Sequence, residues 1–127
     1  MLRNQLAAFA LLLAAPLAAM ADAQERLVDE YQRFAGSAAN AQSLVNGLRN
    51  NERIELVSRR EKVAFQPEAG KMGYGNVDIA LGLAQATLAQ HGIRQPSPSE
   101  IEAALNGGAI ATRSGERVTL EGVLELR

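Results

Sequence analysis

The segment Val77–His91 constrains the fold more than any other part of this 127-residue chain. Nine of its fifteen positions are valine, isoleucine, leucine or alanine, which leaves little polar surface on a helix. Such a helix is stable in water only when neighbouring elements cover it. Asn76 is a suitable N-cap residue, and Gly92 is a suitable residue to follow the last turn. The sequence therefore predicts a central buried helix around which the rest of the chain packs.

The N-terminus is typical of an export signal. A short positive start precedes an apolar run, Leu6–Ala15, which Pro16 interrupts, and small residues then give an A-x-A cleavage pattern ending at Ala23. A membrane anchor is the alternative, but an anchor needs about 20 uninterrupted apolar residues. We therefore expect a signal peptide over residues 1–23, one small mature domain over 24–127, and a periplasmic or secreted protein without a stable transmembrane anchor.

Composition excludes several classes of function. The chain has no cysteine, one histidine and a formal net charge of −1. Without cysteine, disulfides, thiolate metal sites and thiol nucleophiles are excluded. A near-neutral charge supplies no electrostatic reason to bind nucleic acid. We therefore expect no catalytic residues, no cofactor, no metal and no nucleic-acid partner.

The first half of the mature chain combines two helical segments with a hairpin. One segment, 24–35, is predicted to end at Gly36, and a second begins after the N-cap residue Ser37. Residues 53–57 and 62–65 then alternate as β-strands do. The predicted apolar stripe of the first helix contains Leu27, Tyr31, Phe34 and Ala38. That of the second helix contains Ala41, Leu44, Val45 and Leu48. One face of the hairpin is predicted to contain Ile54, Leu56, Val63 and Phe65.

The second half repeats this plan faintly. Ser97 and Glu100 form a capping box that opens another helix, and residues 109–112 and 117–120 form a second hairpin. The letters Leu-Val-Asn-Gly before the first hairpin resemble Ala-Leu-Asn-Gly before the second. We interpret this likeness as a weak duplication of 37–92 in 97–127. The predicted fold is a single small α+β domain, with helices packed on two short β-hairpins.

A glycine-rich loop before the central helix is the one candidate ligand site. Glycines and backbone amides at a helix N-terminus can hold a phosphate or carboxylate, and Lys71 adds positive charge. The spacing matches neither a P-loop nor a dinucleotide fingerprint. The alternative is a tight turn that glycine permits and that packs Met72 and Tyr74 onto the core. The candidate anion-binding residues are Gly70, Lys71, Gly73, Tyr74, Gly75 and Asn76.

This region also resembles known proteins. The block Gly-x-Met-Gly-Tyr-Gly-Asn-Val, the Ala/Leu-rich helix after it and the Gly-Ile-x-x-Pro-x-Pro segment at 92–98 are similar to a recurring block in small exported bacterial proteins of uncharacterised function. In that group, the segment matching Val118–Arg127 often continues into another Met-Gly-aromatic-Gly stretch. The resemblance implies export, implies that the present chain is a shortened member, and brings no catalytic residues.

Three functions remain open at this point. The sequence favours an exported, non-enzymatic module that binds a protein or another component of the cell envelope. One alternative is a small anion-binding enzyme or hydrolase that uses the 70–75 loop. The other is a self-associating structural protein, because an apolar helix in a short chain can be completed by a second copy.

Overall fold

The computed structural model describes residues 21–125. The predicted signal peptide lies outside the described residues except for 21–23, which are part of the first helix. The elements are, in chain order, α1 (21–35), α2 (Ala38–Asn50), β1 (Ile54–Val57), β2 (Lys62–Phe65), α3 (Tyr74–Gln90), α4 (Pro98–Asn106), β3 (Gly108–Ala111) and β4 (Arg117–Leu120). The predicted α+β class is confirmed. Among residues 21–125, no helix combines the length and the apolar character that crossing a bilayer requires.

The elements form two units with the same order. The first unit contains α1, α2 and the antiparallel β1–β2 hairpin, and the second contains α3, α4 and the antiparallel β3–β4 hairpin. Ile54 pairs with Phe65 in the first hairpin, and Gly108 pairs with Leu120 in the second. The weak sequence duplication that we inferred between 37–92 and 97–127 has other bounds than these two units, and it stays a prediction.

Most predicted apolar stripes are confirmed. The stripe of α2 is fully buried, and the predicted face of the first hairpin is buried except for the half-buried Val63. Ala38 is an exception, because it is exposed at the start of α2. Gly36 adopts a positive φ of 98° before it, so the chain turns and Ala38 leaves the line of Leu27 and Tyr31.

The buried side chain of Asn40 connects α2 to the first hairpin. Its amide nitrogen donates to the carbonyl oxygens of Ala35 (3.0 Å) and Val57 (2.9 Å), and its amide oxygen accepts from the Val57 N–H (3.0 Å). One side chain therefore ties the end of α1, the first turn of α2 and the end of β1 together. Ser37 caps α2 as predicted, because its hydroxyl accepts from the Asn40 N–H at 3.0 Å.

The second unit closes through backbone contacts. The predicted capping box of Ser97 and Glu100 opens α4. After β4 the chain returns to α4, where Val123 N–H donates to Ala104 O at 2.9 Å and Leu124 N–H donates to Leu105 O at 3.0 Å. Gly122 permits this approach because its φ is +89° and a Cβ there would lie 2.8 Å from Leu105 O.

Helix α3 differs from its prediction at its start. It begins at Tyr74 after the N-cap Gly73, not after Asn76, and Gly73 supplies no side-chain cap. The additional turn is explained by Tyr74, which packs partly against the core while the Arg49 guanidinium lies 4.6 Å from its ring centroid. At the other end, the predicted Gly92 has a φ of +78° and follows the C-cap residue His91.

Side chains join the two units. Tyr31 of α1 donates its hydroxyl to the Asp78 carboxylate of α3 at 2.5 Å. Asn106 at the end of α4 donates to the Gln66 carbonyl and accepts from the Glu68 N–H. These contacts, together with one continuous core that includes Leu81 and Leu88 of α3, make the two units a single packed body.

Candidate functional site

The outer face of α3 is the most unusual surface among the described residues. This face is the stripe Asn76, Ile79, Leu83 and Thr87, whose members follow one another at helical spacing of three or four residues. Ile79 is 60% exposed and Leu83 is 50% exposed. The expectation that α3 is covered on all sides is therefore wrong. The opposite side carries the residues that the core does bury: Val77, Ala80, Leu81, Ala84 and Leu88.

A groove runs beside these exposed side chains. A small cavity of about 80 Å³ lies between Ile79, Leu83 and Val123. A larger recess of about 360 Å³ continues past Thr87 and shares Val123 as a wall. The segment after β4 thus forms one side of a groove, and the outer face of α3 forms the other. Glu121 is the charged residue that lines it, at the end beyond Thr87.

The exposed residues of α3 carry no formal charge. They are Gly75, Asn76, Ile79, Leu83, Gln85, Ala86 and Gln90. Asp78 is the charged residue of this helix, and its carboxylate accepts the hydrogen bond from Tyr31. A surface helix normally presents charged side chains to water. An uncharged helix face with two half-exposed aliphatic side chains is typical of a binding surface.

The titratable pair between α1 and α3, Tyr31 and Asp78, holds the two helices together. Burial, and then the hydrogen bond to Asp78, raise the pKa of Tyr31 above its usual range. The Tyr31 hydroxyl is therefore a hydrogen-bond donor at every physiological pH, and it fixes α1 against α3. Neither group reaches the outer face of α3, because Asp78 and the nearby Gly82 face α1.

The glycine-rich segment lies elsewhere, at the start of α3. The structure brings its candidate residues together as a short exposed stretch and the first turn of the helix, with only Tyr74 half-buried. None of Gly70, Gly73 and Gly75 has a positive φ, and a Cβ at each would meet open space. The proposed tight turn therefore does not require these glycines, although Met72 is buried as expected.

The cations of this segment do not converge on a ligand position. Arg49 donates to the Met72 carbonyl at 3.2 Å and covers the Tyr74 ring, so its guanidinium is engaged by the protein itself. Lys71 is exposed. The first turn of α3 offers backbone donors, as every helix does. The segment is therefore a weaker candidate than the outer face of α3.

The histidine and the acidic side chains of the described residues are distributed over the fold. No group of three or more histidine or acidic side chains among residues 21–125 could hold a metal ion. His91 is the C-cap residue of α3, as its position in the sequence suggested. Glu61 is used structurally, since its carboxylate accepts from the backbone N–H of Ser99 (2.9 Å) and from its hydroxyl (2.7 Å).

Comparison of the chain with protein-family models, curated proteins and solved structures gave no match. The candidate site therefore depends on geometry alone. Sequence reasoning missed the outer face of α3 because it assigned every apolar residue of that helix to the core. The sequence did contain an indication of this face, because apolar residues occur on more sides of this helix than the other elements of so short a chain can cover.

Proposed function

We propose that this protein is an exported, non-enzymatic module that binds protein through the outer face of α3. The observation that carries the proposal is the pair Ile79 and Leu83, which stand half-exposed beside a groove on an uncharged helix face. Fully burying an exposed side chain of this kind provides about 1.5–3 kcal/mol, so covering the exposed half of each of these two provides about half of that. A protein partner can supply that cover.

Export is supported by the sequence of residues 1–23, which has the pattern of a signal peptide. The test is to express the full chain in a bacterium, fractionate the cells and determine the N-terminal sequence of the product. Material outside the cytoplasm beginning at Gln24 is expected. Cytoplasmic material beginning at Met1 would contradict this part of the proposal.

Binding is tested by photo-cross-linking in cells that export the full chain. A photoreactive phenylalanine analogue replaces Leu83 in one variant and Gln85 in the matched control. Gln85 is exposed on the same helix but faces away from the groove by about 160°, from the 100° rotation per residue of a helix. We expect a protein adduct from position 83 and none from position 85. Equal adducts at both positions, or none at either, would refute the proposal.

A further inference from the structure

We infer that the partner of the outer face of α3 is a second copy of this chain, packed against it about a two-fold axis. The inference rests on the proposed function, because it names the protein that covers the same surface. It is supported by the comparison of equivalent positions in the two units, by the charges on α1 and α3, and by the size of the groove beside α3.

The first unit shows how this kind of helix is completed. Gly36 and Gly92 follow α1 and α3 with positive φ values of 98° and 78°, so we use these two glycines to align the two helices. Nine residues before each glycine stand Leu27 and Leu83. Leu27 is 1% exposed, whereas Leu83 is 50% exposed. The same position is therefore buried in the first unit and open in the second.

In the first unit, a helix packs over this side of α1. Five residues before Gly36, Tyr31 is 4% exposed, and it bonds to Asp78 of α3 and lies against Gly82. Five residues before Gly92, the equivalent position is Thr87, which lines the open recess. Within residues 21–125, the outer face of α3 thus lacks a neighbouring helix like the one that α3 itself provides for α1.

End-to-end stacking of copies does not supply that helix. Stacking would place α1 of one copy on α3 of another, as α3 lies on α1 within the chain. The exposed side of α1 is charged, however, at Glu25, Arg26, Asp29, Glu30 and Arg33. Covering these five side chains with Ile79 and Leu83 would desolvate charges without partners. The outer face of α1 therefore closes one end of the molecule.

A two-fold contact between α3 helices avoids that cost. An isologous interface places the same surface patch on both sides, so a patch with a net charge would face a patch of its own sign. The exposed residues of α3 carry no charge, and the whole chain has a formal charge of only −1. Ile79 and Leu83 of one copy can therefore cover those of the other without like-charge repulsion between the two α3 helices, and Glu121 is the charged residue of the adjoining groove.

The extent of the contact predicts its strength. Helix α3 has 17 residues, which corresponds to a length of about 25 Å. Two crossing helices of this length with the adjoining groove form a small interface, below about 1,200 Å², and interfaces of that size are weak. We expect a reversible dimer with a Kd in the micromolar range.

Sedimentation equilibrium of the purified full chain tests the inference. We expect a monomer–dimer equilibrium, and we expect the double substitution Ile79→Gln with Leu83→Gln to weaken the dimer at least tenfold. Both side chains are half-exposed, so the variant is expected to retain its fold, which thermal melting by circular dichroism verifies. The matched control is Gln85→Ala, which should leave the dimer constant unchanged. A dimer that persists in the double variant would overturn the inference.

Cysteine cross-linking provides a second measurement, since the chain has no cysteine of its own. Ile79→Cys or Leu83→Cys, treated with a short bismaleimide, should give covalent dimers that Gln85→Cys does not give. A monomer at all concentrations that forms an 83-specific adduct with a different protein in cells would overturn the second-copy inference and leave the proposed function intact. A monomer without any such adduct would overturn both.

Discussion

Helices α1 and α3 occupy equivalent places in the two units, yet their outer surfaces are opposites. The exposed side of α1 carries five charged residues between 25 and 33, whereas the exposed side of α3 carries none and presents Ile79 and Leu83. A charged face remains in water at no cost, while an aliphatic face gains free energy when it is covered. The outer face of the first unit is therefore suited to water, whereas the outer face of the second unit is the surface that we propose a partner covers.

The hairpins differ in a similar way. In the first unit, the Asn40 amide makes three hydrogen bonds that hold β1 to α2. In the second unit, the Gly122 backbone packs against the end of α4, and the backbone N–H groups of Val123 and Leu124 bond there. One unit therefore depends on a buried polar side chain, and the other depends on the absence of a side chain. Four experiments on the two units are given in order of decreasing expected effect.

Gly122→Ala should be the most damaging. The residue has a φ of +89°, and a Cβ would lie 2.8 Å from Leu105 O. Strain and overpacking each cost about 1–3 kcal/mol, so we expect a loss of about 3–5 kcal/mol in the free energy of unfolding, measured by urea denaturation. Gly115→Ala is the control, since its φ is +90° but its Cβ meets open space; it should cost about 1–2 kcal/mol. Equal losses would show that the close approach at Gly122 is unimportant.

Leu27→Ala and Leu83→Ala compare the equivalent positions directly. Leu27 is 1% exposed and belongs to the core, so its truncation should cost about 3 kcal/mol. Leu83 is half-exposed in the monomer, so its truncation should cost less than about 1 kcal/mol at concentrations too low for association. Urea denaturation of dilute protein gives both values. Similar losses at the two positions would contradict the contrast between the two faces.

Asn40→Ala tests the polar connection of the first unit. The substitution leaves the Val57 N–H and two carbonyl groups without their partner, and an unsatisfied buried group costs about 1–3 kcal/mol. We expect a loss of about 2 kcal/mol in the free energy of unfolding and faster amide exchange at Val57. Asn50→Ala, at an exposed position in the last turn of the same helix, should have almost no effect. A neutral Asn40→Ala variant would show that water replaces the side chain.

Glu61→Gln should have the smallest effect, because the carboxylate is at the surface. The hydrogen bonds from the Ser99 backbone and hydroxyl lower the pKa of Glu61. A lowered pKa means that the contribution is complete above the unfolded value of 4.5 and is lost as the pH falls below it. We expect a loss of about 0.5 kcal/mol at pH 7 and a shallower decline in stability on acidification to pH 3. An unchanged acid limb in the variant would contradict this role.

The sequence predicted the elements well and their environment less well. Local backbone chemistry, which short stretches of sequence determine, sets several of these features. They are the two hairpins, the helix caps at Ser37 and Ser97, and the helix ends at Gly36 and Gly92. The start of α3 depends on Tyr74 packing with Arg49, which lies 25 positions away in the sequence. Local patterns do not contain that contact.

The candidate site was harder to predict for the same reason. Helical periodicity identifies apolar faces, but it does not say how many of them the chain can cover. Ile79 and Leu83 are aliphatic residues of the same helix as Leu81 and Leu88, so residue type does not distinguish them, yet Leu81 and Leu88 are buried. Only the arrangement of both units shows which aliphatic residues remain open. The glycine-rich segment had the more distinctive sequence pattern, but a Cβ at Gly70, Gly73 or Gly75 would meet no atom, so the structure gives these glycines no steric role.

The central claim is that the outer face of α3 packs against its own copy. The most direct measurement is an isotope-filtered NOE experiment on a mixture of labelled and unlabelled full chains at millimolar concentration. We expect intermolecular NOEs among the methyl groups of Ile79 and Leu83. Intramolecular NOEs alone, with those methyl groups accessible to a soluble paramagnetic probe, would contradict it.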